Sequence, residues 1–220
     1  MTIEEPRPVV RHGSLKIPTC LADIADPRRT ALLVYDMQVG IARQVKGADV
    51  LIARIAGLLD MARSAGMRIA YSRHLSLSRP WMGVTQMRMA MAWQHTDDPA
   101  MVKPWFLRDA PATRIVPELE PRPEDLVFDK VAMSALEGTM LPFALRDAGL
   151  TGLAVAGIAM EIGIEPTLRH ASDQGFVPIL IEDACGSGDA AAAARSVEAL
   201  RFAGDTIITD SDSFARAITS

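Results

Sequence analysis

LAVAGIAMEIGIEPTLRHA, residues 153–171, passes from one hydrophobic periodicity to another with no loop between them. Leu153 to Ile158 form a short apolar run with β-branched members, the pattern of a strand buried on both faces of a parallel sheet. The remainder predicts a helical segment ending near Gly175. A strand that runs straight into a helix places the first helical N–H groups at the carboxyl edge of the sheet. Open α/β folds bind ligands there, and backbone donors can stabilise an anion.

Outward from this segment the same alternation repeats. Upstream, Ala31 to Tyr35 (ALLVY) reads as a buried strand ending at Asp36, Val50 to Ala65 as a helix closed by Gly66, and Met67 to Tyr71 as the next strand. Leu126 to Phe128 resumes the sheet and stops at Asp129 and Lys130, followed by a helix near Leu141 to Ala148 closed by Gly149. Downstream come a strand at Val177 to Glu182, a helix from about Ala190 to Phe202, and a last strand at Thr206 to Thr209. Six strands alternating with helices are the units of a right-handed parallel α/β fold. Two stretches break the pattern. Residues 1–29 carry Pro6, Pro8, Pro18 and Pro27 and fit an extended N-terminal arm preceding one domain at 30–220. Ser72 to Pro123 form a long connection with seven prolines, Pro123 included, and one predicted helix, Val84 to Trp93, a length that points to a lid or binding segment.

Composition bounds the partners. The 220 residues, 49% hydrophobic and only 5% aromatic, suffice for one core packed by aliphatic side chains. A net charge of −4 without a basic block argues against nucleic acid or an anionic membrane and leaves a small soluble molecule as the expected partner. Two cysteines imply no disulfide framework. With no apolar run of membrane-spanning length and no signal peptide, the expected compartment is the cytoplasm.

In a parallel sheet every carboxyl end lies on one edge, so Asp36, Lys130 and the opening of the 153–171 helix converge there. A carboxylate facing an ammonium across that edge is a site candidate. The plainer alternatives are a strand-end aspartate and a solvated lysine. Within the connection, Arg73, His74, Arg79, Gln86 and Arg88 with Trp81, Met87 and Trp93 offer cationic and apolar surface suited to an organic acid, Gln86 and Arg88 foremost. Packing of the methionines and solvation of the arginines is the competing reading. The four histidines are dispersed, so neither a catalytic metal nor an organic cofactor is expected.

Three stretches, ALLVYDMQ, VFDKVAMSALEGTMLPFAL and VAGIAMEIGIEPTLRHASDQGFVPILIEDA, together resemble the isochorismatase-like hydrolases, or cysteine hydrolase superfamily, over roughly residues 30–210. The resemblance implies a three-layer α/β/α, Rossmann-like fold with a six-stranded parallel sheet, and a catalytic Asp, Lys and Cys. Asp36 takes the aspartate position and Lys130 the lysine position, whereas the cysteine position is Gly163. The resemblance also implies a cis peptide between Ile158 and Ala159, backbone donors at Ala159 and Gly163, and a homodimer or homotetramer.

Glycine cannot form a thioester, so the thiol mechanism of the family's amidases is excluded at this position. Cys185, in DACGSG, reads as a buried structural thiol rather than a relocated nucleophile, and Cys20 falls in the arm. The first functional expectation is vinyl-ether hydrolysis of isochorismate type on a small anionic metabolite, with Asp36 as general acid or base assisted by Lys130. Two alternatives stand beside it: an amide or ester hydrolase whose water is activated by Asp36 and Lys130, and a non-catalytic ligand-binding homologue.

Overall fold

The computed structural model describes residues 10–219; residues 1–9 of the expected arm lie outside them. In chain order the elements are β1 (Val10–His12), β2 (Leu15–Ile17), α1 (Leu21–Ile24), β3 (Thr30–Tyr35), α2 (Val39–Ala42), α3 (Ala48–Ser64), β4 (Arg68–His74) and α4 (Val84–Trp93). There follow β5 (Leu126–Lys130), α5 (Leu141–Asp147), β6 (Gly152–Ile158), α6 (Glu165–Asp173), β7 (Val177–Gly186), α7 (Ala190–Ala203), β8 (Ile207–Thr209) and α8 (Ser211–Thr219). β1 and β2 pair antiparallel, so the described part of the arm is a small ribbon and a helical turn rather than an extended strap.

β3 to β8 form one parallel sheet in the order β5-β4-β3-β6-β7-β8. The chain winds outward from β3 to one edge, returns to the centre at β6, and winds to the other edge. The order therefore reverses between β3 and β6, which is where a doubly wound sheet opens a crevice beyond its strand ends. Both central strands are buried at every residue. Alternation divides their side chains between two cores. Leu32 and Val34 meet Ile55, Leu58 and Leu59 of α3 and Phe214 of α8, while Leu33 and Tyr35 meet Leu141, Leu168 and Leu200 of α5, α6 and α7. Helices thus cover both faces of the six-stranded sheet, giving the expected three layers.

Three elements run further than their apolar runs predict. β4 continues to His74 and β5 to Lys130 because their polar ends have partners: Arg73 pairs with Asp129 across the ladder, and Ser72 bonds Asp36. β7 extends to Gly186 through a register shift, so Cys185 lies inside that strand rather than after it. The unpredicted α8 packs Phe214 and Ile218 into the core beside α3. At the centre the strands pinch together: a Cβ on Gly157 would stand 2.1 Å from the Tyr35 carbonyl oxygen, and its φ of +140° suits glycine. Among the described residues no helix is long and apolar enough to cross a membrane.

Candidate active site

Asp36 follows β3 directly and turns into the left-handed region, φ +46°, which an aspartate tolerates better than most residues. The turn is held at both ends. Its N–H donates to Ser72 Oγ at 3.1 Å, and its carbonyl accepts from Gln38 N at 2.7 Å. The carboxylate is thereby placed over the crevice between β3 and β6. Ser72 Oγ donates to Oδ1 at 2.6 Å, and Lys130 Nζ lies 2.8 Å from Oδ2. Lys130 reaches it from β5 across β4, where its register partner is His74. The ammonium also donates to the Ala132 carbonyl at 3.2 Å and sits 4.5 Å from the Tyr35 ring centroid. Both charged side chains are enclosed, at 0% and 6% exposure. The carboxylate thus has one oxygen on a hydroxyl donor and the other on an ammonium.

Above this pair opens a cavity of about 340 Å³. Asp36, Tyr35, Ile158, Ala159 and Gly163 form its floor; Ile41, Val45, Ile162, Trp93, Trp105 and Phe106 give it apolar walls; Gln44, His74 and His95 add polar atoms. His74 is buried, and its imidazole packs edge-on to Phe106 at 5.9 Å. Burial lowers its pKa below the ordinary value, Asp36 opposes that, and Lys130 adds to it, so the ring is neutral near pH 7. The wholly buried Gln38 fastens the floor to the wall: Nε2 donates to the carbonyls of His74 and Thr113, and Oε1 accepts from the His74 N–H.

The Ile158–Ala159 peptide is cis, and the chain then makes a single π-helical turn, Met160–Ile164, before α6. Of the two backbone donors expected here, Gly163 is otherwise engaged, since its N–H bonds the Ala159 carbonyl at 3.1 Å. The N–H of Ala159 has no acceptor among the described residues, and Ala159 lines the cavity.

The structure brings Asp36, Lys130, Gly163, Ile158 and Ala159 together, but not the arginines and glutamine proposed from the long connection. Arg73 points to the opposite face of β4 and, with Arg108, binds Asp129. Arg79 donates to the carbonyls of Pro99, Ala100 and Val102 and so ties the connection to itself. Arg88 is exposed on α4. Gln86 accepts from Leu77 N and lines a separate crevice of about 40 Å³. Among the described residues no arginine or lysine lines the main cavity. Nor is any group of three or more His, Cys, Asp or Glu side chains there arranged to hold a metal ion.

Sequence reading missed Tyr35 and Ser72. Their signal was the alternation of β3 and β4, which sends Tyr35 to the α6 side and sets Ser72 one residue before the register of Arg73 with Asp129. Tyr35 fills the space beside Gly163: a Cβ built on that glycine would lie 1.8 Å from its Oη and 2.4 Å from its Cζ. Cys185 stays outside the cavity, its thiol directed at the Val155 carbonyl at 3.7 Å and its pKa pushed up by burial.

Comparison with known proteins agrees with this frame. A profile described as the isochorismatase domain matches residues 30–212. The ureidoacrylate amidohydrolase RutB of Caulobacter segnis is 28% identical over 179 residues, covering 72% of this chain and 73% of that protein. RutB of Methylobacterium radiotolerans is 28% identical over 191 residues, covering 79% and 74%. In three dimensions, a cysteine hydrolase from Pseudomonas syringae pv. phaseolicola superposes with a TM-score of 0.76 at 23% identity, covering 98% of this chain and 99% of its own. An isochorismatase family protein from Desulfovibrio vulgaris gives 0.74 at 21% identity, covering 88% and 100%. At such identities the superpositions speak for the fold.

Proposed function

The chain belongs to the isochorismatase domain family and is a hydrolase of that kind, and from this premise we propose that it cleaves the C–N bond of a small, uncharged amide or ureide with water activated by Asp36 and without a cysteine. The observation that carries the proposal is the enclosed Asp36–Lys130 pair, 2.8 Å apart, whose carboxylate lies on the floor of a cavity that Gly163 also lines.

The chemistry follows from the placement of the groups. Water at the cavity floor gives a proton to Asp36 and adds to the substrate carbonyl carbon. Lys130 balances the charge on Asp36 before the transfer, and the N–H of Ala159 faces the oxyanion as it forms. When the intermediate collapses, the proton held by Asp36 passes to the departing nitrogen, and the C–N bond breaks. Neutral His74 can accept or donate a hydrogen bond at the wall without adding charge.

Two observations move the reading away from vinyl-ether cleavage of an anionic metabolite. The Asp36 carboxylate accepts from the Ser72 hydroxyl and pairs with the Lys130 ammonium, an arrangement suited to receiving a proton from water, and of the arginines expected to hold an acid Arg73 and Arg79 are bound elsewhere while Arg88 is exposed on α4. The relatives named ureidoacrylate amidohydrolase support cleavage of an amide-type bond. The test is to incubate the protein and Asp36→Asn with uncharged aromatic and aliphatic amides and ureides and, as an anionic comparison, ureidoacrylate, following ammonia, and with isochorismate, following pyruvate. Ammonia release that disappears in Asp36→Asn supports the proposal. Pyruvate release, or amide turnover that survives in the variant, overturns it, and saturable binding of these compounds without turnover identifies a ligand-binding homologue.

A further inference from the structure

Tyr35 is a buried polar group that the hydrolytic reading leaves without a task. It ends β3, is 2% exposed, and shares the cavity floor with Asp36 and Gly163. Its hydroxyl donates to the Met133 carbonyl. One ammonium serves both neighbours, since Lys130 Nζ lies 2.8 Å from the Asp36 carboxylate and 4.5 Å from the centre of the phenol ring. The space is exclusive: a Cβ at residue 163 would approach Tyr35 Oη to 1.8 Å, Cζ to 2.4 Å and Cε1 to 2.8 Å, separations that real Cβ atoms do not show. With the phenol where it stands, a side chain at 163 would force one of the two to move.

We infer that Tyr35 stands in the place of a side chain at residue 163 and is a further catalytic residue: its phenolic oxygen holds the attacking water beside Asp36, and Gly163 is what makes room for it. The inference rests on the hydrolytic reading above. Burial, with the neighbouring charge of Asp36, pushes the ionisation of Tyr35 well above its ordinary value, so the group works as a neutral phenol and not as a nucleophile. Its own proton is committed to the Met133 carbonyl, which leaves the oxygen as an acceptor. A water that gives one hydrogen bond to Asp36 and the other to Tyr35 has its lone pairs turned toward the cavity, where the substrate carbonyl enters. As that water adds to the carbonyl carbon, one proton moves to Asp36 and the other stays on the adding oxygen, still bonded to Tyr35. Tyr35 neither gains nor loses a proton. Orientation of one reactant in this way is a recognised source of rate, and losing one hydrogen bond to it costs rate rather than substrate affinity.

Tyr35→Phe tests the oxygen while retaining the ring. On the ammonia-releasing substrate, kcat is expected to fall about 10- to 100-fold with KM within about twofold, and the melting midpoint should stay within about 5 °C of the parent. A Tyr35→Phe enzyme with parental kcat, measured where Asp36→Asn is inactive, overturns this inference and leaves the hydrolytic reading standing. Activity retained by Asp36→Asn instead removes the hydrolytic reading. A second arm needs no substrate. Gly163→Cys alone should lower the melting midpoint by roughly 5–10 °C from overpacking. Tyr35→Val/Gly163→Cys should recover that loss and yield a thiol that iodoacetamide alkylates at residue 163, seen by peptide mapping. Parental stability of the single variant, or an introduced thiol in the double variant that resists alkylation in the native state, shows that the phenol does not occupy this space at the cavity floor and refutes the inference.

Discussion

The buried pair between Asp36 and Lys130 makes a thermodynamic prediction that does not depend on the substrate. At 2.8 Å and an effective dielectric of about 20, the attraction is roughly 6 kcal/mol. Against it stands the desolvation of two groups that are 6% and 0% exposed, several kcal/mol for each ion. The pair therefore adds little net stability as a whole, but removing one member leaves the other charged and enclosed. Lys130→Met should cost about 3–5 kcal/mol, and Asp36→Asn a comparable amount, eased by the hydrogen bond that Lys130 retains with the Ala132 carbonyl at 3.2 Å. The double variant Asp36→Asn/Lys130→Met should cost less than the sum of the two by about 2 kcal/mol or more. Urea unfolding of the four proteins measures the cycle, and for a chain of 220 residues Lys130→Met should melt about 6–20 °C lower. Single variants that each cost under about 1 kcal/mol and add within about 0.5 kcal/mol would refute the ion pair and, with it, the charge assignment used for catalysis.

Three further outcomes follow from the surroundings of single groups. Burial depresses the His74 pKa below 6.5, so the unfolded chain takes up a proton that the folded state refuses. Stability should be full above about pH 6.5 and fall as pH drops through the folded pKa, a slope that His74→Gln removes in urea midpoints measured across that range. Tyr35 and Tyr71 are the two tyrosines of the chain, the first raised well above its usual range by burial and the second pushed up to about 12. A spectrophotometric titration should therefore show no tyrosinate absorbance at pH 10 until the protein unfolds, and stability should decline with rising pH above about 10. Cys185, its thiol raised by burial, should resist a disulfide reagent near pH 8 in the folded state, so that at most Cys20 reacts natively and both thiols react in denaturant.

Much of the fold could be read because the central strands are apolar at nearly every position. β3 and β6 carry continuous hydrophobic runs, and each is followed by a helix signal, so both the strands and the parallel sheet are legible. The ends are less so. β4 and β5 finish in Ser72, Arg73, His74, Asp129 and Lys130, residues that propensity assigns to loops. They stay in the ladder because each meets a partner from a neighbouring strand, and such pairings are tertiary facts. The C-terminal helix is short and half polar, and only Phe214 and Ile218 packed near α3 explain why it forms.

The site divides along the same line. Asp36, Lys130 and the Ile158–Ala159 turn meet as the sequence predicts because each lies at a strand end, and topology alone carries strand ends to one edge. Arg73, Arg79, Gln86 and Arg88 do not line that cavity, and sequence could not show this because charge in a long connection has no direction: Arg73 faces the other side of β4, and Arg79 binds the carbonyls of its own connection. The glycine at 163 was legible, but the space its turn shares with Tyr35, 128 positions earlier in the chain, was not. Tyr35 looks in sequence like one more apolar strand residue, and strand period 2 directs it toward α6. Only when β3 and β6 pair in register, Tyr35 beside Gly157, do the phenol and the turn at 163 claim the same volume. Phenol and turn thus share one region of the cavity floor, where the Asp36 carboxylate keeps its ammonium.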